Sequence, residues 1–197
     1  MTAFAIGPGL LTTLMFGLGS LGEPLLTRDN VMVGVALLTL IGWVLAASKI
    51  SRTTPTLQTT THHPLTPGES LLIVMIGLAV IIRIIVIAYW PFTAYDALWV
   101  YGYQGRLYFL TGLIPATIDY YPQFLQLQYT FGQLAAAEIN DSAARAVLPL
   151  LHIGAILAAY NLGARLFNRR TGIFLAGLWA LYPAVGEWGR MGDLEIP

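Results

Sequence analysis

The chain has 197 residues, 56% of them hydrophobic and only 10% charged, where a soluble domain carries about 25%. That balance, with a mean hydropathy of +0.68, excludes an ordinary soluble domain and indicates an integral membrane protein. Ten bases, nine of them Arg, against ten acids leave no net charge and no basic stripe for nucleic acid, and the lack of cysteine excludes disulfides and thiolate metal sites.

A spanning helix needs about 20 largely apolar residues. Five stretches approach that length: residues 3–22, 31–48, 71–90, 146–164 and, somewhat short, 171–186. In lipid each should be helical, because every backbone group must be paired internally. No Lys or Arg precedes the first stretch, so it does not read as a signal peptide. The expectation is an all-α, polytopic membrane bundle of about five spanning helices. Residues 1–50 form an N-terminal two-helix hairpin. Residues 51–70, "SRTTPTLQTTTHHPLTPGES", are a Thr/Pro-rich linker, and 71–197 begin the core that carries the chemistry. His62 and His63 in the linker have no further ligand nearby and read as solvated loop residues. The final "GDLEIP" has no polar tail, so the chain is expected to be the N-terminal part of a longer protein.

Basic residues set the orientation. The loops after the second and fourth stretches hold Lys49, Arg52, Arg165, Arg169 and Arg170, with Glu69 the single acid on their side. An even number of crossings separates these loops, so they share one side, taken as cytoplasmic. The N-terminus is then cytoplasmic too. The other side holds nine acids and includes Asp96, residues 90–145 and Asp193.

That outer stretch is not ordinary loop sequence. "ALWVYGYQGRLYFL" and "QFLQLQYTFGQLAAAE" mix large apolar residues with Gln, Arg and Glu. They are too short and polar to span, and fit two helices lying in the interface, where Trp and Tyr are favoured. "TGLIPATIDYYP" breaks the chain between them, and "NDSAAR" supplies an N-cap for the next helix.

Asp96 sits at the outer boundary of the third stretch. A partly desolvated carboxylate there is a better base near neutral pH and could take a proton from a bound hydroxyl. Spacing alone favours the plainer role of N-cap for the helix that starts at Ala97. Asp193 is a second outward acid. Arg83 lies within the third stretch, about 10 Å from its outer end at 1.5 Å per residue, and is either paired, functional or snorkelling. His152 and Asn161 are expected to hydrogen-bond a neighbouring helix. Arg145 and Arg190 could hold a phosphate bidentately or simply end helices. "YYPQFLQLQY" offers aromatic faces and amides suited to sugar hydroxyls beside a lipid chain, or to plain anchoring. "GEWGRMG" lacks the strand and fingerprint that a nucleotide site requires.

Taken together, "YDALWVYGYQGRLYF", "YYPQFLQLQY", "SAARAVLPLLH", "ARLFNRRTGIFLAGLWALYP" and "GRMGDLEIP" resemble, in order and sidedness, motifs of the GT-C superfamily of polytopic glycosyltransferases. The likeness is greatest to the bacterial members related to protein mannosyltransferases and aminoarabinose transferases. It covers about residues 71–197. The chain departs from those relatives at Ala97, where many have Glu, at Gln123, where they have a second proline, and at Gln104, where many carry Lys. The resemblance implies transfer of a sugar from a polyprenyl-phosphate donor to an acceptor on the outer face, with inversion. Asp96 and Asp193 would be catalytic. Arg83, Tyr95, Tyr101, Gln104, Arg106, Tyr121, Gln123, Arg145 and Arg190 would bind substrate. The partners are the donor lipid and the bilayer; no cofactor is assigned and a divalent metal is left open. Two other readings stand beside it: a transporter fragment using Arg83, and a noncatalytic membrane subunit that binds a partner through the aromatic loop.

Overall fold

The structure, a computed structural model, describes residues 2–50, 64–115 and 122–186, and every regular element in them is helical. In chain order these are α1 (Thr2–Ser20), α2 (Arg28–Ile50), α3 (Pro67–Tyr89), a π-helical segment (Ala97–Gly102) that runs into α4 (Tyr103–Thr111), α5 (Phe124–Ala136), α6 (Asp141–Ala144), α7 (Val147–Leu166) and α8 (Arg169–Leu181). The linker residues 51–63, with His62 and His63, lie outside the described residues.

Among the described residues, three segments are long and apolar enough to cross a bilayer: Arg28–Ser48, Pro67–Tyr89 and Asp141–Leu166. This corrects the expected five. The apolar helix Ile6–Ser20 is shorter, and α8 has 13 residues, about 20 Å against a hydrocarbon thickness of roughly 30 Å. Pro183 explains the early stop of α8. It has no N–H to continue the ladder, and a residue before proline is pushed out of the α region; Tyr182 accordingly adopts an extended ψ of 121°.

α7 and α8 form an antiparallel hairpin. Asn168 caps α8 by accepting from Thr171 N at 3.0 Å. The two backbones approach closely at paired glycines: a Cβ on Gly163 would lie 2.9 Å from Gly172 Cα, and one on Gly172 would lie 2.6 Å from Tyr160 O. Small residues at the crossing are how membrane helices gain contact without a hydrophobic driving force. α3 runs parallel to α8. At their starts Glu69 faces Arg169 and Arg170 at 3.3 and 3.4 Å. Near their ends Arg83 donates to Ala180 O at 2.8 Å. Glu69 also completes a capping box with Thr66, so one carboxylate both starts α3 and ties it to α8.

α5 corrects a second expectation. An interfacial helix would bury one face in lipid and wet the other, yet eight of the 13 residues of α5 are buried in protein. One side, Leu125 and Tyr129, packs with Ile87, Phe92, Ala97, Tyr101, Ala144 and Leu148. Another, Leu127 and Leu134, packs with Met15, Leu26, Val31 and Tyr108. Each large side chain so buried contributes about 1.5–3 kcal/mol. The N-terminal hairpin is thus a wall of this core, and Gln128 Nε2 donates to Pro8 O and Thr12 Oγ1 of α1 at 3.0 and 2.9 Å.

Candidate functional site at the acid-bearing end

The last carbonyls of a helix have no partner within it. At the end of α3 they are taken up by the "SAAR" segment. Ser142 Oγ donates to Ala88 O at 2.7 Å. Arg145 Nη2 donates to Ile87 O at 3.1 Å and also to Trp90 O. Spacing i, i+3 puts Ser142 and Arg145 on one helical face. Asn140 starts this turn by accepting from Ser142 N and Ala143 N at 2.9 and 3.0 Å, so the expected N-cap is present. Arg145 Nε donates to Asp141 O at 3.2 Å. The guanidinium lies 4.7 Å over the Phe92 ring, which in turn meets Tyr129 at 5.4 Å. Arg145 has no exposed surface. It is a buried clamp on α3, where an open fork for phosphate was one expectation.

Asp96 stands just beyond this clamp. The capping alternative fails: Asp96 precedes Ala97–Gly102 in αR geometry and its side chain takes no bond from the following N–H groups. The carboxylate is half-buried and forms no ion pair or hydrogen bond among the described residues. The turn after it is wide, as π-helical insertions are. It closes at Gly102, where a side chain would strike Ala97 O and meet the Phe92 ring at 3.4 Å. Around this point Trp90, Tyr95, Trp99 and Tyr103 present exposed rings, the composition of a membrane–water boundary.

Gln104 and Gln123 converge on the buried Tyr108. Its hydroxyl donates to Gln123 Oε1 at 2.5 Å and lies 3.3 Å from Gln104 Oε1. A phenol has one proton to give, so the Gln104 amide serves best turned about, donating its N–H to the phenol oxygen. Burial pushes the Tyr108 phenol up to about 12, with the Gln123 bond acting in the opposite direction. Arg106 pairs with Asp141 at 2.5 Å, which links α4 to the segment that clamps α3.

The expected site residues therefore divide. Gln104 with Gln123, and Arg106 with Arg145 through Asp141, are brought together. Tyr101 is buried in the core beside Phe92 and Tyr129. Tyr95 points outward, 74% exposed. Arg83 lies apart, about 9 Å down α3 from Tyr89 at 1.5 Å per residue, and satisfies a carbonyl near the end of α8. Asn161 bonds its own helix, to Leu157 O at 2.8 Å, and no neighbour as expected; His152 Nε2 is buried without a partner. Asp193, Tyr121 and Arg190 lie outside the described residues. Among the described residues no group of three His, Cys, Asp or Glu side chains could hold a metal ion. Sequence reading missed Tyr108, Asp141 and Ser142; the i, i+4 spacing of Gln104 and Tyr108 was the available signal for the first.

A groove of about 580 Å³ opens between α1, α5 and the start of α7. Pro8, Leu11, Phe131, Val147 and Leu150 line it, and small residues such as Gly132 and Ala135 leave it open. Its one amide, Gln128, is committed to α1. Compared with known proteins, the chain matches no family model, no curated protein and no solved structure.

Proposed function

We propose that this helical membrane protein belongs to a glycosyltransferase that moves a sugar from a polyprenyl-phosphate donor to an acceptor hydroxyl at the outer membrane face. The observation that carries the reading is the Asp96 carboxylate: half-buried, just beyond the end of a helix long and apolar enough to span, and bonded to no other group among the described residues. A carboxylate kept out of every structural bond is available as a base. Asp96 takes the acceptor's hydroxyl proton. The oxygen forms a bond to the anomeric carbon as the bond from that carbon to the phosphate oxygen breaks, with inversion, and the polyprenyl phosphate leaves. By the resemblance, Asp193 would orient the acceptor or help hold a metal, and Arg106 and Arg190 would contribute to substrate binding. The exposed rings around Tyr95 suit sugar faces and interfacial anchoring alike. The apolar groove suits the prenyl chain, since nothing in it asks for a polar atom.

A transporter would need spanning helices broken at mid-depth, whereas α3 runs without interruption from Pro67 to Tyr89. The test is made with the complete protein in proteoliposomes. Polyprenyl-phosphate hexose and pentose donors are added to the outside with an extract of cell-envelope acceptors. Release of polyprenyl phosphate coupled to sugar transfer is expected. No release with any donor, at protein levels that retain the folded spectrum, would defeat the reading.

A further inference from the structure

A second polar centre lies inside the membrane region, away from Asp96. Arg83 uses Nη2 to donate to Ala180 O, and its Nη1 is buried without a partner. His152, on the first turns of α7, is 8% exposed and its Nε2 also lacks a partner. The indole N–H of Trp179, next to Ala180 on α8, is a third buried donor with none. The three helices meet here. Ile156 and Ala180 pack together with Val80 and Trp179 against them, one turn from His152 and Arg83. No acid among the described residues pairs with Arg83.

A cation at this depth without a counter-charge is among the costliest arrangements in a membrane protein. Each buried donor left idle adds its own desolvation cost, about 1–3 kcal/mol. Backbone carbonyls answer one guanidinium nitrogen but supply no charge. What the centre lacks is an acceptor that is anionic and has several oxygens: one for Nη1, others for a protonated imidazole nitrogen or an indole N–H. An oxyanion meets that need and a guanidinium binds it in fork geometry.

We propose that Arg83 and His152, between α3, α7 and α8, form a binding site for a phosphate-type oxyanion. The surroundings, Val80, Ile156, Ala176 and Ala180, are apolar, and Arg83 and His152 both sit on helices long enough to span, which favours an anion carried on a lipid chain over a free one. The site does not use Asp96, and it stands or falls apart from the transfer reaction.

The test uses the full chain in dodecyl maltoside micelles, with dodecyl phosphate as probe and dodecanol and inorganic phosphate as controls. Binding is followed by tryptophan fluorescence and by thermal shift. Wild type should bind dodecyl phosphate saturably and ignore dodecanol. Arg83→Gln keeps a donor for Ala180 O and should weaken binding roughly 10- to 100-fold, the loss of a charge-assisted hydrogen bond. His152→Phe, which removes a nitrogen that makes no hydrogen bond in the fold, should weaken it as well and carries the test if Arg83→Gln fails to fold. Competition by inorganic phosphate at similar concentration would mark a free-anion site; no competition would mark a lipid-borne one. Equal response to dodecanol, or unchanged binding in a folded Arg83→Gln or His152→Phe variant, overturns the proposal. So does binding that emerges only in Glu187→Gln, the acid next after Gly186 in sequence, because the chain itself would then fill the site.

Discussion

Replacing Arg145 with Met should unfold the acid-bearing end before it touches chemistry. The guanidinium supplies the hydrogen bonds to Ile87 O and Trp90 O, both at the buried end of α3. Removing it orphans two carbonyls, at about 1–3 kcal/mol each. The stacking on Phe92 adds about 0.5–2 kcal/mol. Relief of a buried charge works the other way, and the Met stem fills much of the space, so the net loss is about 2–5 kcal/mol. For a domain near 200 residues each kcal/mol lowers the melting temperature by about 2–4 °C, so a fall of about 5–20 °C is expected. Arg145→Lys keeps the charge but reaches fewer carbonyls, and should fall between the two. The assay is thermal unfolding of purified protein in detergent, followed by tryptophan fluorescence. An Arg145→Met protein that melts within about 1 °C of wild type while losing sugar transfer would refute the clamp and return Arg145 to the substrate.

Other outcomes follow from the same contacts. Gly132→Val should destabilise by about 1–3 kcal/mol, because even a Cβ there would lie 2.7 Å from Ala143 C and 2.9 Å from Ala144 Cα; chemical unfolding of the variant beside wild type reads the loss. Tyr108 has its phenol raised to about 12 from about 10 unfolded. A raised folded value means stabilisation that is complete below pH 10 and is lost as pH climbs through 12, on the order of 2–3 kcal/mol. The stability advantage of wild type over Tyr108→Phe should therefore shrink between pH 10 and 12, and an advantage constant across that range would contradict the burial. The chain has no native cysteine, so single cysteines at positions 59 and 117 report sidedness: an impermeant reagent on intact cells should label Thr117→Cys and spare Thr59→Cys, and the reverse pattern would invert the topology.

Much of the helical framework was legible because apolar length is a coarse signal that survives any packing. The spans at α2, α3 and α7 and the Asn140 cap come from local pattern, whereas Asp96, which spacing alone favoured as an N-cap, makes no capping bond. What was not legible depended on partners far apart in sequence. α5 alternates Gln with Leu and Tyr, which locally reads as an amphipathic surface helix; only the meeting of α1, α2, α4 and α7 around it turns nearly every face inward. Arg145 was read as an exposed cation because its partners, Ile87 and Trp90, lie more than 50 residues away. α8 was overcounted because hydropathy averages across Pro183, while the backbone breaks one residue before it.

The most direct measurement is the proposed chemical step, by single turnover of the protein preloaded with polyprenyl-phosphate sugar, comparing wild type with Asp96→Asn. The account predicts that donor affinity holds while the rate constant for transfer drops by about 10²- to 10⁴-fold, the loss typical of a removed general base. A transfer rate within about twofold of wild type would contradict it, and Asp96 would then be an idle carboxylate at the membrane edge.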